Sequence, residues 1–162
     1  MKIFWSRISY FSSKNIFPKL KILRLDEWTN LDTKWVKKIA TNCLALEEYS
    51  SEWCLKIESD AVQSLILNCE NLQKLSFSGI KTIDDSIFAK LFEKNAKNLK
   101  EGLGIIPLRL ESLNLKMWNY ISKPALEQMK QYYPNLILID YYGEEIRDSN
   151  GNFTNYSTDL LA

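Results

Sequence analysis

One apolar pattern recurs along the chain at nearly constant intervals. The pattern has the spacing L-x-x-L-x-L, and its five copies follow one another at offsets of 26, 26, 38 and 26 residues. The copies are Leu20, Leu23 and Leu25; Leu46, Tyr49 and Ser51; Leu72, Leu75 and Phe77; Leu110, Leu113 and Leu115; and Leu136, Ile139 and Tyr141. The spacing by two is typical of a strand with one buried face, so each copy predicts a short strand.

A second apolar set follows each of the first four copies at the same offsets. Its columns are Leu31, Ile57, Ile83 and Ile121; Val36, Val62, Phe88 and Leu126; and Ile39, Leu65, Leu91 and Met129. Their helical spacing predicts a helix after each of the first four strands. A polar residue follows each member of the first column and is a predicted helix cap, although Glu58 is a weak cap that Ser59 can replace. These residues are Asp32, Glu58, Asp84 and Ser122.

A period of 26 residues with this spacing is typical of a leucine-rich repeat. One unit cannot bury its own apolar side, so neighbouring units must stack. The expected fold is therefore an α/β leucine-rich-repeat solenoid of about five repeats. Its short parallel strands would line the concave face, and its helices would form the convex face.

The cysteines narrow the repeat type. Cys43 and Cys69 each stand three residues before a frame leucine, and Cys54 stands three residues after a frame. This arrangement resembles the cysteine-containing repeat C-x-x-L-x-x-L-x-L-x-x-C-x-x-I-T/S/D. Over residues 18–143 the chain is similar to the RNI-like repeat arrays of F-box leucine-rich-repeat proteins. Trp28, Ile80 and Trp118 depart from the pattern because they occupy the column of Cys54.

The resemblance implies protein–protein recognition. F-box leucine-rich-repeat proteins are substrate receptors of cullin-type ubiquitin ligases, so the resemblance also implies such a receptor role. Residues 1–17 are too few for an F-box, so any link to a ligase depends on the repeats alone. The alternative is a structural or regulatory repeat fragment that acts only within a larger assembly.

The expected organisation has three parts: 1–17, a cap or the helical half of a repeat whose strand is missing; 18–143, the repeat array with an insertion near 97–108; and 144–162, a C-terminal cap and loose tail. Within the insertion, Leu103, Ile105 and Ile106 are too apolar for a solvated loop. They either fold back over the edge of the array or are held out for a partner. Ser51 replaces a buried leucine, so the second repeat is expected to be locally loose.

The composition argues against catalysis and cofactors. The chain has no histidine, and its three cysteines include no C-x-x-C pair, so a zinc site and an imidazole base are both excluded. Asp84 and Asp85 stand at a helix start, where capping is a better interpretation than acid–base chemistry. A net charge of +1 gives no general attraction to nucleic acid or anionic membranes. Reduced, buried thiols indicate a cytoplasmic or nuclear protein.

The outward strand positions are the predicted binding face for a protein partner. They change from mainly acidic in the first two repeats to basic in the next two, and Leu138 and Ser78 are expected among them. The gradient is either an ordinary solvated face or a recognition surface. Trp53 either contacts a partner or packs on the neighbouring loop. Self-association through the N-terminal edge is also possible. The candidate residues are Arg24, Asp26, Glu48, Glu52, Trp53, Lys74, Asn114, Lys116, Asp140 and Tyr142.

Overall fold

The part of the chain that the structure describes has six short parallel strands and four helices, and the strands from the second to the sixth alternate with the helices. This structure, a computed structural model, describes residues 2–3, 17–118, 120–139, 142–143 and 145. The strands are β1 (Lys2–Ile3), β2 (Ile22–Arg24), β3 (Glu48–Ser50), β4 (Lys74–Ser76), β5 (Ser112–Asn114) and β6 (Ile137–Ile139). The helices are α1 (Thr33–Asn42), α2 (Ser59–Asn68), α3 (Ser86–Lys100) and α4 (Lys123–Tyr132). The strands form one sheet in chain order, which confirms the predicted α/β arrangement of parallel strands joined through helices.

The register of strands β2 to β5 follows the sequence period. Leu23 pairs with Tyr49, Tyr49 with Leu75, and Leu75 with Leu113, so the offsets of 26, 26 and 38 residues are those of the ladder. These four side chains are all buried under the helices. The extra residues near 97–108 therefore leave the strand register intact.

Strand β6, which carries the fifth copy of the sequence pattern, is one residue out of the predicted register. Leu113 pairs with Leu138, whereas the sequence pattern predicted Ile139. Ser78, in the turn after β4, is buried although it was expected to face outward. Leu138 is also buried, and the prediction that it faces outward was wrong. Side chains alternate between the two faces of a strand, so a shift of one residue exchanges them. The run Ile137–Ile139 is apolar throughout, and its pattern does not distinguish the two registers.

The N-terminal segment supplies a strand that the sequence analysis expected to be missing. Lys2 and Ile3 pair in parallel with Ile22 and Leu23. The edge of β2 is thus paired, and β1 is the strand at the N-terminal edge of the described sheet. The rest of the segment, residues 1 and 4–16, lies outside the described residues, as do 144 and 146–162 of the predicted C-terminal cap and tail.

Two of the four predicted helix caps are formed by side chains as expected. Asp32 accepts a hydrogen bond from the Trp35 amide at 3.0 Å, and Ser122 accepts one from the Ala125 amide at 3.3 Å. Each bond satisfies one of the free amides of a first helical turn. Together they fix the starts of α1 and α4.

The other two helix starts are built differently. Glu58 precedes α2 without a side-chain cap bond. Ser59 does not replace it, because its hydroxyl donates to Asp84 Oδ1 at 2.9 Å and accepts from the Asp84 amide at 3.0 Å. Asp84 also accepts from the Ser86 amide at 3.0 Å, and its bonds to Ser86 are the first cause of a lowered Asp84 pKa. A residue expected to cap one helix therefore joins two neighbouring units.

The core lies between the sheet and the helices. All three cysteines are buried with free thiols, and burial raises the pKa of Cys43 and Cys54 to about 11 and that of Cys69 to about 12. Cys54 Sγ donates to the Leu25 carbonyl at 3.2 Å. In the same column two units later, Trp118 Nε1 donates to the Phe77 carbonyl at 2.8 Å. Both side chains thus satisfy the carbonyl that ends the frame of the preceding unit.

The second repeat places two hydroxyl groups in the core. Ser51 is fully buried, as its position in the frame predicts, and Tyr49 beside it packs on Phe77 with ring centroids 5.4 Å apart. Burial raises the Tyr49 pKa, and the nearby Ser51 hydroxyl partly opposes that rise. Neither hydroxyl has a hydrogen-bond partner with good geometry among the described residues. The second repeat therefore buries polar groups where its neighbours bury hydrocarbon.

Among the described residues, no helix is both long and apolar enough to cross a membrane.

Candidate functional site

A depression of about 440 Å³ lies on the face of the sheet turned away from the helices, here named the open sheet face. Its floor includes Ser50, Ser76 and Ser112, whose small side chains leave space between longer neighbours. Six of the predicted candidates line it: Arg24, Asp26, Glu48, Glu52, Lys74 and Asn114. Residues far apart in sequence meet here because adjacent strands lie only about 4.8 Å apart.

One side of the depression carries a chain of three charges. Glu48 accepts from Arg24 at 3.5 Å through one carboxylate oxygen and from Lys74 at 3.3 Å through the other. These residues follow one another on strands β2, β3 and β4. The two cations are about 60% exposed, so each pair contributes little to stability, about 0–1 kcal/mol. Together the three groups give this side of the depression a net charge of +1.

The other side carries two carboxylates that are oriented by hydrogen bonds from the next unit. Asp26 accepts from the Ser50 hydroxyl and, at 2.9 Å, from the Glu52 amide. Glu52 in turn accepts from the Ser76 hydroxyl. Both carboxylate–serine pairs join residues 24 apart, so the same contact is repeated one unit later.

Asp26 and Glu52 are available for an additional contact. In the described part of the chain, no lysine or arginine lies within ion-pair distance of either residue. A carboxylate has about four acceptor sites and can accept several donors at once. The two groups can therefore receive amide or cationic donors from a bound polypeptide without breaking the serine contacts.

Four predicted candidates do not line this depression. Lys116 donates its amide to Asn114 Oδ1 at 3.0 Å, and its side chain is within 3.4 Å of the Cβ position of Gly143. Tyr142 is 66% exposed, and Asp140 lies outside the described residues. The fourth, Trp53, occupies the turn that follows β3.

Trp53 packs on the neighbouring turn, which is one of the two interpretations that its position allowed. Its φ is +60°, in the left-handed region, and its ring covers Gly79 in the next turn. A Cβ atom on Gly79 would lie only 2.6 Å from Trp53 Cδ2, so the glycine is needed for this contact. Trp53 is nevertheless 47% exposed and presents the rest of its ring to solvent. Equivalent turn residues also have positive φ: Glu27, Gly79 and Met117.

Ser50 and Ser76 were not among the predicted site residues. The signal was present as the recurrence of an acidic residue followed 24 positions later by a serine. This signal is visible only when the stagger between adjacent strands is known, because the two partners occupy different columns of the repeat.

A second depression of about 560 Å³ lies at the amino ends of α2 and α3. Its polar groups are largely used within the fold. Ser59, Asp84 and Ser86 bond to one another, and Asp60 pairs with Lys37. No group of three potential metal ligands occurs among the described residues, here or elsewhere. The open sheet face therefore remains the stronger candidate site.

Comparison with known proteins assigns no family to the chain. No family model matches it, and a search of curated proteins finds no match. The fold and the open sheet face are therefore the basis for the functional proposal.

Proposed function

We propose that the chain is a leucine-rich-repeat solenoid of the cysteine-containing type. The support is the ladder offset of 26 residues, the strand–turn–helix order of each unit, and the buried cysteine columns. Trp118 replaces a column cysteine and bonds to the corresponding carbonyl, which supports the same repeat type at a position where the sequence departs from it.

Its function is protein–protein recognition through the open sheet face. The observation that carries this proposal is the depression in which Asp26 and Glu52 are oriented by serines but have no cationic partner among the described residues. Rigid strands that present alternate side chains at fixed spacing are well suited to reading a polypeptide surface. The role is non-catalytic, since the chain has no histidine and its buried thiols have raised pKa values.

The resemblance to F-box leucine-rich-repeat arrays makes a ubiquitin-ligase substrate receptor the specific version of this proposal. One observation favours the alternative of a structural or regulatory repeat in a larger assembly. On the open sheet face, β6 presents the half-buried side chains of Ile137 and Ile139. The equivalent positions of β3 and β4 carry polar residues. An apolar end to the face would suit packing against a further subunit.

Affinity capture with matched variants tests the proposal. The double variant Asp26→Asn, Glu52→Gln removes two negative charges but keeps the oxygens that accept from the serines. The control, Glu70→Gln with Glu93→Gln, removes two exposed charges outside the depression. Partners bound through the open sheet face should be lost from the first variant and retained by the control, as quantified by mass spectrometry.

Two outcomes separate the versions. Co-purification of a ligase adaptor and cullin supports the receptor. Stoichiometric capture of a stable complex without ligase components supports the assembly role. Equal capture by wild type and the Asp26→Asn, Glu52→Gln variant would refute the proposed binding face.

A further inference from the structure

Helix α3 ends in a well-defined hydrogen-bonded cap. The Leu103 amide donates to the Asn98 carbonyl at 2.8 Å, and the Gly102 amide donates to the Leu99 carbonyl at 3.2 Å. Gly102 has φ of +74°, which completes a Schellman motif. The backbone is therefore fixed as far as Leu103, three residues beyond the end of the helix.

Leu103 has no role in this cap that explains its apolar side chain. In a Schellman motif the residue at this position commonly packs on the residue that provides the first carbonyl. That residue is Asn98, which is polar, and Leu103 is 63% exposed. Leu99 and Ile105 are also exposed, at 51% and 37%. We name Leu99, Leu103 and Ile105 the apolar tip.

The other end of the tip is anchored to the core. The Ile106 amide donates to Asn95 Oδ1 at 2.8 Å, and the Tyr133 hydroxyl donates to the Ile106 carbonyl at 3.0 Å. Asn95 Nδ2 donates to the Tyr133 hydroxyl at 2.8 Å, and Asn95 is fully buried. The insertion was expected either to fold back over the array or to be held out from it. Ile106 folds back, whereas the apolar tip is held out.

The surroundings of the tip are positively charged. Residues 90–109 contain five basic and two acidic residues, a net charge of +3, whereas the rest of the chain has sixteen basic and eighteen acidic residues, a net charge of −2. Lys97 pairs with Glu101 at 3.9 Å. No carboxylate among the described residues lies within ion-pair distance of Lys94 or Lys100. The tip thus adjoins Lys100 in the sequence and lies in a basic segment of the chain.

We propose that the apolar tip is a second docking surface, and that its occupant is an acidic amphipathic helix of a partner protein. Such a helix supplies an apolar stripe for the tip and bordering carboxylates for Lys94 and Lys100. A protein fits better than an anionic membrane, because the five basic residues of this segment do not form the uninterrupted cluster that is typical of membrane-binding segments. Here Glu93 and Glu101 interrupt the basic residues, and only three apolar side chains are exposed.

The test uses a synthetic amphipathic helix whose leucine stripe is bordered by glutamates, with binding measured by fluorescence anisotropy. Two comparison peptides replace the glutamates by lysines or the leucines by serines. The variants are Leu103→Ser with Ile105→Ser, and Lys94→Glu with Lys100→Glu. Leu55→Ser is the matched control, since Leu55 is 64% exposed away from the insertion.

The proposal expects binding of the acidic peptide only, with amide chemical-shift changes concentrated at residues 99–106. Each double variant should weaken binding by roughly tenfold or more, as for loss of central interface contacts, and the control should leave it unchanged. No binding of the acidic peptide, or equal binding by the Leu103→Ser, Ile105→Ser variant, would overturn the proposal. So would binding to phosphatidylserine–phosphatidylcholine vesicles instead, or self-association of the wild type that this variant abolishes.

Discussion

Replacement of Asn95 by alanine should destabilise the protein by about 2–3 kcal/mol. Asn95 makes two hydrogen bonds of 2.8 Å, one from the Ile106 amide and one to the Tyr133 hydroxyl, and its side chain is fully buried. Each bond contributes about 1 kcal/mol net, and the Ile106 amide would lose its partner at an added cost of about 1 kcal/mol or more. That added cost is limited because the insertion can open and let water reach the amide.

A double-mutant cycle separates the shared bond from the others. Tyr133→Phe removes the hydroxyl that bonds to both Asn95 and the Ile106 carbonyl, so it should cost about 2 kcal/mol. Because the two residues share one bond, the double variant should cost less than the sum of the single variants, by about 1 kcal/mol. Asn98→Ala is the control, since Asn98 lies on the same helix and contributes its backbone carbonyl to the cap.

Urea unfolding followed by circular dichroism measures these changes, and hydrogen exchange locates them. The Ile106 amide should exchange faster in Asn95→Ala than in wild type and should be unaffected by Asn98→Ala. A loss of about 2 kcal/mol corresponds to a fall in Tm of roughly 4–8 °C for a chain of this size. If Asn95→Ala cost no more than Asn98→Ala and left Ile106 exchange unchanged, the anchoring of the insertion would be refuted.

The remaining predictions concern the core, the turns and the thiols. Leu75→Ala should cost about 2–5 kcal/mol in urea unfolding, and an unchanged midpoint would contradict the register. Ser51→Ala should be neutral or stabilise by up to about 1 kcal/mol, because it removes a buried hydroxyl that has no hydrogen-bond partner among the described residues. Gly79→Ala should lower Tm more than Gly102→Ala: both have positive φ, but only at Gly79 would the Cβ meet a tryptophan ring. The three cysteines should resist iodoacetamide in the native state, as judged by intact mass. Because burial raises the thiol pKa values, the contribution of the neutral thiols to stability should be complete below pH 9, the ordinary thiol pKa. It should be lost as the pH rises through 11–12, as measured by Tm against pH.

The sequence predicted the periodic part of the fold because that part depends on alternation and helical spacing. The first four members of the Leu23 column and all four of the Val36 column are buried where the offsets place them, and the 38-residue step at Leu113 keeps the ladder aligned. The errors occur where the pattern carries no contrast. Ile137, Leu138 and Ile139 are equally apolar, so packing rather than residue type decides which one faces the core.

The contacts within the candidate site could be predicted only in part. Alternation places Arg24, Glu48 and Lys74 on one face, and the open sheet face brings them together as expected. Alternation does not show that Asp26 accepts a hydrogen bond from a serine 24 residues later in the sequence, because that pairing depends on the stagger of adjacent strands. Turn geometry is hidden in the same way: of the four equivalent residues with positive φ in the turns after β2 to β5, three are not glycine.

These differences show where the chain departs from a simple repeat. A left-handed residue without glycine costs about 1–2 kcal/mol, and the fold accepts this cost at Glu27, Trp53 and Met117. At Trp53 the turn directs a large ring over Gly79 and leaves about half of it exposed. Glycine would remove the backbone cost but also the ring that covers the neighbouring turn. The contact of the tryptophan ring with the next unit therefore offsets the backbone strain of its turn. The exposed half of the ring lies after Glu52 in the chain and is an aromatic surface open to a bound polypeptide.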